Sequence, residues 1–250
     1  GLAAERFGRV VADIDADRQH PEKKKRPLPA GKLNPTVTAV AATIFALGSL
    51  GAGFALSLGL GWILLAYLLI QIGYTFWFKN MVLLDVLIVA SGFILRIAAG
   101  VAVIHVQRFS PWLYIFGGFL ALFMVLGKRR HELTLLGEGA SSHRAILQEY
   151  NLELIDIMLT IVTTSAIAAY TLYTFLAEGL PANNAMMLTI PFVLYGVFRW
   201  LYLIHVRHEG GAPEEIVLRD RPLQATLIFY GILVFAILYN PLNAISAILN

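Results

Sequence analysis

The chain has no cysteine among its 250 residues, so no disulfide framework, thiol nucleophile or thiolate metal site is possible. Charge is scarce as well. Asp, Glu, Lys and Arg make up 14% of the residues, against about 25% in soluble domains. Residues 1–35 hold no apolar core of the signal-peptide kind. Asn34-Pro35-Thr36 is not a glycosylation acceptor, because proline occupies the middle position. No internal repeat, low-complexity tract or nucleic-acid-binding module stands out. What remains is apolar: 58% of the residues are hydrophobic and mean hydropathy is +0.71. These numbers describe a polytopic membrane protein.

The apolar residues fall into seven runs, Val37–Leu56, Leu60–Trp77, Met81–Ile104, Pro111–Leu126, Leu154–Leu176, Met186–Ile204 and Leu223–Leu249. Each is long enough, or nearly so, to cross ~30 Å of hydrocarbon as a helix. The fold expected is an all-α transmembrane bundle over residues 37–250, preceded by a polar, basic segment at 1–36. Seven spans place residues 1–36, 78–80, 127–153 and 205–222 on one side. Of the 19 Lys and Arg residues, Arg108 alone falls on the opposite side, and Arg96 and Arg199 lie within spans. The positive-inside rule makes the basic face cytoplasmic and the localisation a cell membrane. The acids follow the cations, with only Glu178 clearly outside. Polar chemistry is therefore expected on the cytoplasmic face, which suits an anionic cytosolic substrate and a lipid co-substrate better than transport.

Three polar clusters lie on that face. The first is Asp13-Ile-Asp-Ala-Asp17-Arg18, running on to Lys23-Lys-Lys-Arg-Pro27. Asp13 and Asp17 are four apart and share one helix face. Two carboxylates beside Lys and Arg suit Mg²⁺ bridging to a phosphorylated substrate; a solvated charged linker is the plainer alternative. The second is Lys128-Arg-Arg-His-Glu132 at the end of the fourth span. Its cations can grip a phosphate while the acid assists a metal, or they can simply fix topology. It lacks the second histidine of a His-Glu-x-x-His zinc helix. The third is Pro213-Glu-Glu followed by Arg219-Asp220-Arg221. It reads equally as phosphate or ribose contacts and as a capped surface helix with an ion pair.

Within the membrane, Asp85, Arg96 and Arg199 need partners or a cavity. Asp85 and Arg96 share a helix face but lie ~16 Å apart along it. Asp85 lies about a turn from the cytoplasmic end and Arg199 within two turns of it, which leaves room for pairing or a shared cavity. Lys79, with Tyr74 and Trp77, forms the tip of the second hairpin. Gly48-Ser-Leu-Gly-Ala-Gly53 lies inside a span and reads as close helix packing.

These clusters resemble a known pattern. Asp13-x-x-x-Asp17-Arg18 with His-Pro-x-Lys-x-x-Arg-Pro is similar to the end of the first aspartate-rich motif of the UbiA superfamily of intramembrane prenyltransferases. Leu84-Asp through Arg96, Gly127-Lys-Arg-Arg-His-Glu-Leu, Ser142-His-Arg144 with Tyr150, and Gly-Gly-Ala-Pro-Glu-Glu-Ile-Val-Leu-Arg-Asp-Arg221 resemble its phosphoribosyl-transferring branch. The resemblance implies transfer of 5-phosphoribose from phosphoribosyl pyrophosphate to decaprenyl or another polyprenyl phosphate. Pyrophosphate is released, and the lipid product feeds cell-wall arabinan synthesis. It implies Mg²⁺ held by Asp13 and Asp17, with Glu132 as a third catalytic acid. It also implies phosphate contacts from Arg18, Lys24, Lys79, Lys128, Arg129, Arg130 and Arg221, and a ribose contact from Asp220. Association with a second copy of the chain is left open.

The match departs from the pattern in one respect. Arg9 and Val10 stand where Asn and Asp are expected, and the family's first two of nine helices are expected to be missing. The alternatives are a prenyltransferase with an aromatic acceptor, and a non-catalytic subunit, transporter or inactive remnant.

Overall fold

The structure is a computed structural model that describes residues 28, 30–104, 110–136, 146, 149–181, 183–209 and 213–239. Among the described residues all regular structure is helical. The helices are α1 (Pro35–Leu56), α2 (Leu58–Phe76), α3 (Leu84–Ile104), α4 (Pro111–Leu136), α5 (Leu152–Leu176), α6 (Ile190–His205), α7 (Pro213–Arg219) and α8 (Arg221–Tyr239). Short 3₁₀ turns at Phe78–Asn80 and Ala185–Thr189 precede α3 and α6. Seven helical segments are long and apolar enough to cross a membrane, as the hydropathy pattern requires. The chain is a multi-pass membrane protein.

Local chemistry sets the helix ends. Asn34 caps α1 by accepting the Thr36 N–H at 2.9 Å, with Pro35 in the first helical position. Ser57 ends α1 and starts α2, accepting the Leu60 N–H at 3.0 Å. Asn151 caps α5 through the Leu154 N–H at 2.7 Å. α4 runs ten residues beyond its expected end at Leu126. Hydropathy stops there, but Lys128-Arg-Arg-His-Glu-Leu is made largely of good helix formers, so the helix carries the polar cluster out of the apolar zone.

The chain divides into two compact units, Gly1–Val106 with Leu136–Tyr150, and Gln107–Leu135 with Asn151–Asn250. In the first, α1 packs on α2 and α2 on α3. Of the three glycines expected to mediate close packing, only Gly53 does. A Cβ there would meet Leu64 Cδ1 at 2.5 Å, whereas Gly48 and Gly51 face open space. Gly61 on α2 is another close approach, against the Phe54 ring. Arg96 lies over the rings of Tyr67 and Phe93, 5.3 and 5.0 Å from their centroids, and donates to the Tyr67 hydroxyl. A guanidinium stacked on aromatic faces is how this helix keeps a cation at mid-span.

In the second unit α5, α6 and α8 pack with the Ala185–Thr189 turn. Tyr170, fully buried, shares a hydrogen bond with Thr189 Oγ1 at 2.6 Å and donates to Tyr230 at 3.2 Å. α4 approaches α6 at Gly127, where a Cβ would meet Ile204 Cδ1 at 2.8 Å. One turn earlier Phe123 lies on Trp200, with centroids 6.3 Å apart. Leu203, Ile216 and Leu223 form a small core under α7, flanked by Trp200 and Val217.

Candidate functional site

Four of the sequence-derived candidates, Asp13, Asp17, Arg18 and Lys24, lie outside the described residues. The others fall on three structural features.

The first, in unit one, is the turn that carries Lys79. Lys79 sits in the 3₁₀ turn Phe78–Asn80, half-buried. Four residues later Leu83 adopts a left-handed backbone, φ 67°, which is unusual for a side chain of its size. Its N–H donates to the Tyr150 hydroxyl at 2.8 Å. That hydroxyl in turn donates to Asp85 Oδ1 at 2.6 Å. Asp85 is wholly buried, 0% exposed, in the first turn of α3, where the positive end of the helix dipole favours a carboxylate. Asp85 is bound by a phenol sixty-five residues along the chain, and Arg199 binds Asp220. Each charge is met by a polar group of its own unit.

The second feature, in unit two, is the C-terminal end of α4. Consecutive residues on a helix point about 100° apart, so the basic run is shared between faces. Lys128 is exposed. Arg129, only 5% exposed, donates through Nη1 to Glu132 Oε2 at 2.7 Å, three residues on. Arg130 turns toward α5 and donates through Nε to Asp156 Oδ1 at 2.7 Å. Its Nη1 reaches the Ile204 carbonyl at 3.4 Å. His205 Nε2 lies 3.2 Å from the same Asp156 oxygen. The His131 Nδ1–H donates to the His208 carbonyl at 2.8 Å. Asp156 and His205, which tie Arg130 in place, carried little sequence signal.

The third feature is the α7–α8 corner. The Arg199 guanidinium grips both oxygens of Asp220, with Nη2 at 2.7 Å and Nε at 3.1 and 3.2 Å, and stacks on Tyr202. Asp220 Oδ1 also accepts the Leu223 N–H at 2.9 Å, which caps α8. Arg199 foremost, with the Leu223 N–H, holds the Asp220 carboxyl below the usual carboxylate range, against an opposing push from burial. Asp220 is thus already engaged on two sides. The flanking Arg219 pairs instead with Glu215 at 3.0 Å, both exposed, and Arg221 is exposed. The pattern of a capped helix with an ion pair describes this corner, with Arg199 as the cation rather than either neighbour.

Among the described residues no group of three or more His, Asp or Glu is placed to hold a metal ion. Glu132 is a single carboxylate already bound to Arg129. The described residues do not by themselves make a magnesium site. They do make a cationic helix end, with one arginine steadied by a carboxylate and an exposed lysine beside it.

A model of the UbiA prenyltransferase family matches residues 10–130. A protein of Mycobacterium tuberculosis named decaprenyl-phosphate phosphoribosyltransferase is 31% identical over 215 residues, 86% of this chain and 70% of its own length. One of the same name from Corynebacterium glutamicum is 31% identical over 235 residues, 92% of this chain and 70% of its own. The fold resembles the solved structure of a UbiA homolog from Archaeoglobus fulgidus bound to GPP and Mg²⁺. The TM-score is 0.69 at 16% identity, covering 96% of this chain and 89% of that one. The chain belongs to the UbiA prenyltransferase family.

Proposed function

We propose that the chain transfers 5-phosphoribose from phosphoribosyl pyrophosphate to a polyprenyl phosphate, of decaprenyl type, at the cytoplasmic face of the plasma membrane. The observation that carries this reading is the likeness, over most of the chain, to proteins named for that reaction. The cationic end of α4 supports it. In the reaction a phosphate oxygen of the lipid attacks the anomeric carbon of the ribose, the bond to the pyrophosphate oxygen breaks, and pyrophosphate leaves. The lipid phosphate is already an anion, so the demand is for stabilisation of developing negative charge rather than for a strong base. Lys128 and Arg129 serve this demand, Arg129 held in one orientation by Glu132. A bidentate guanidinium suits phosphate geometry. Arg221 and Lys79 are further phosphate contacts, as are Arg18 and Lys24. Arg130, bound to Asp156, fixes α4 to α5. The Asp220 carboxylate reaches ribose only by sharing its bond to Arg199.

Asp13 and Asp17, in the segment 1–36 ahead of the bundle 37–250, are the proposed holders of Mg²⁺, which would neutralise the departing pyrophosphate. Solved family structures bound to Mg²⁺ and to Cd²⁺ support divalent-metal use. The lipid product would enter cell-wall arabinan synthesis. The test is incubation of the purified chain with labelled phosphoribosyl pyrophosphate, Mg²⁺ and decaprenyl phosphate. Labelled lipid is expected, abolished by chelator and in Asp17→Ala, and reduced at least tenfold in Arg129→Ala. Turnover only with a prenyl diphosphate and an aromatic acceptor would replace this reading, and a GPP-bound family member gives that outcome its standing.

A further inference from the structure

A cleft of about 600 Å³ lies wholly within unit two, between α5 and α6. Its volume is that of small-ligand sites, roughly 300–1,000 Å³. Its walls are Leu159, Ile167, Phe198 and Leu201, and its mouth is Asp156 and His205. From Asp156 to Ile167 is about 16 Å along the helix, roughly half the hydrocarbon thickness. The cleft therefore spans one leaflet, starting at the cytoplasmic interface. Phe198 on its rim is exposed, so it opens sideways from the bundle.

Three threonines line it. Thr160 and Thr164 turn their hydroxyls back to the carbonyls of Asp156 and Thr160, each at 2.9 Å, the usual way a span hides a hydroxyl. Thr163 does not. It is 6% exposed, and its Oγ1 has no hydrogen-bond partner. A buried, unpaired hydroxyl is costly and calls for an acceptor or donor from elsewhere. At the mouth Asp156 is bound by Arg130 from α4 and by His205, with the exposed Arg207 two residues beyond.

The geometry points to a binding site for one glycerophospholipid of the cytoplasmic leaflet. The phosphodiester meets the guanidiniums of Arg130 and Arg207 at the mouth, reached by side chains that extend toward the interface. A chain lies along Leu159, Ile167 and Leu201. An ester carbonyl, below the phosphate, accepts from Thr163. The hydroxyl is what selects the lipid class: a polyprenyl phosphate also offers a phosphate, as a monoester, but no carbonyl oxygen beneath it, and would leave Thr163 unpaired. The site uses none of the groups proposed above to contact the donor substrate, and its test does not read activity.

The test uses the purified full chain in mild detergent, with dioleoyl phosphatidylglycerol and decaprenyl phosphate as probes. Native mass spectrometry counts retained lipid, and a melting curve reads the response to each probe. One phospholipid per chain is expected, retained when decaprenyl phosphate is added, with a melting temperature that phosphatidylglycerol raises in the parent and raises less in Thr163→Val. Thr163→Val, the same shape without the hydroxyl, is expected to weaken phospholipid retention about tenfold. Stripped of lipid, it should melt no lower than the parent, because the unpaired hydroxyl is gone. Leu201→Trp, which fills the cleft, should displace the lipid. The proposal is overturned if Thr163→Val retains phospholipid as the parent does. It is equally overturned if Thr163→Val melts lower when lipid-free, since the hydroxyl then has an internal partner, or if decaprenyl phosphate displaces the bound phospholipid.

Discussion

The two units bury their carboxylates differently. In unit one Asp85 has no solvent exposure, and a neutral phenol, Tyr150, is one of the groups bound to it. In unit two Asp156 and Asp220 are partly exposed, and their partners are guanidiniums, Arg130 and Arg199. A partly exposed charge pair keeps some water and costs little to desolvate. The Tyr150 phenol gives the buried Asp85 carboxylate a short hydrogen bond. The same oxygen also accepts the Leu83 N–H, so one side chain steadies both a buried carboxylate and a left-handed backbone residue just after Lys79.

The contrast is broken most severely by Tyr150→Phe. The change keeps the ring and removes only the hydroxyl, so Asp85 loses a donor and the Leu83 N–H loses its acceptor. Each such loss in a buried setting costs about 1–3 kcal/mol, more when the group is charged. A total near 3 kcal/mol corresponds to a fall of roughly 6–12 °C for a chain of this size. Melting curves on purified protein check the value. A fall under about 2 °C, less than 1 kcal/mol would produce, would mean the bridge to Tyr150 does not carry the turn.

Asp220→Ala should cost less, because water reaches this corner. Loss of the α8 cap accounts for about 1 kcal/mol, some 2–4 °C. The pH dependence is its sharper signature. The folded-state carboxyl sits below its ordinary value, so its contribution is fully present above the unfolded pKa of about 4 and is lost as pH falls through the lower folded value. The parent and Asp220→Ala should therefore differ in melting temperature near neutral pH and converge in strong acid. A constant gap across that range would rule out the ion pair with Arg199 as its origin.

How much of this was legible in the sequence follows the range of the interactions. The seven spans were, because hydropathy is local and Asn34, Ser57 and Asn151 mark helix starts within a few residues. The overrun of α4 past Leu126 was not, because hydropathy ends at Lys128 while helix propensity does not. The basic run was visible as a phosphate-binding candidate. Its division was not: that Arg129 turns to Glu132 and Arg130 to Asp156 depends on where α5 packs. Tyr150 and Asp85 are sixty-five residues apart, and no periodicity links them. Gly48 and Gly51 mislead for the same reason, since spacing says that a backbone can be approached, not that another helix does so.

The smallest effect belongs to the pair most visible in sequence, Glu215 and Arg219, four apart on α7, both exposed and 3.0 Å from each other. Exposed pairs of this kind contribute about 0.3–0.5 kcal/mol, screened by salt. Arg219→Ala should lower the melting temperature by no more than about 2 °C, and by nothing measurable in high salt. The same helix end holds Arg199 against Asp220, one residue away in sequence from Arg219. If Arg219→Ala proved as damaging as Asp220→Ala, the cation that matters at this corner would be the neighbour in sequence rather than the one brought by α6. The distinction drawn between exposed and half-buried pairs would then fail where it is easiest to measure.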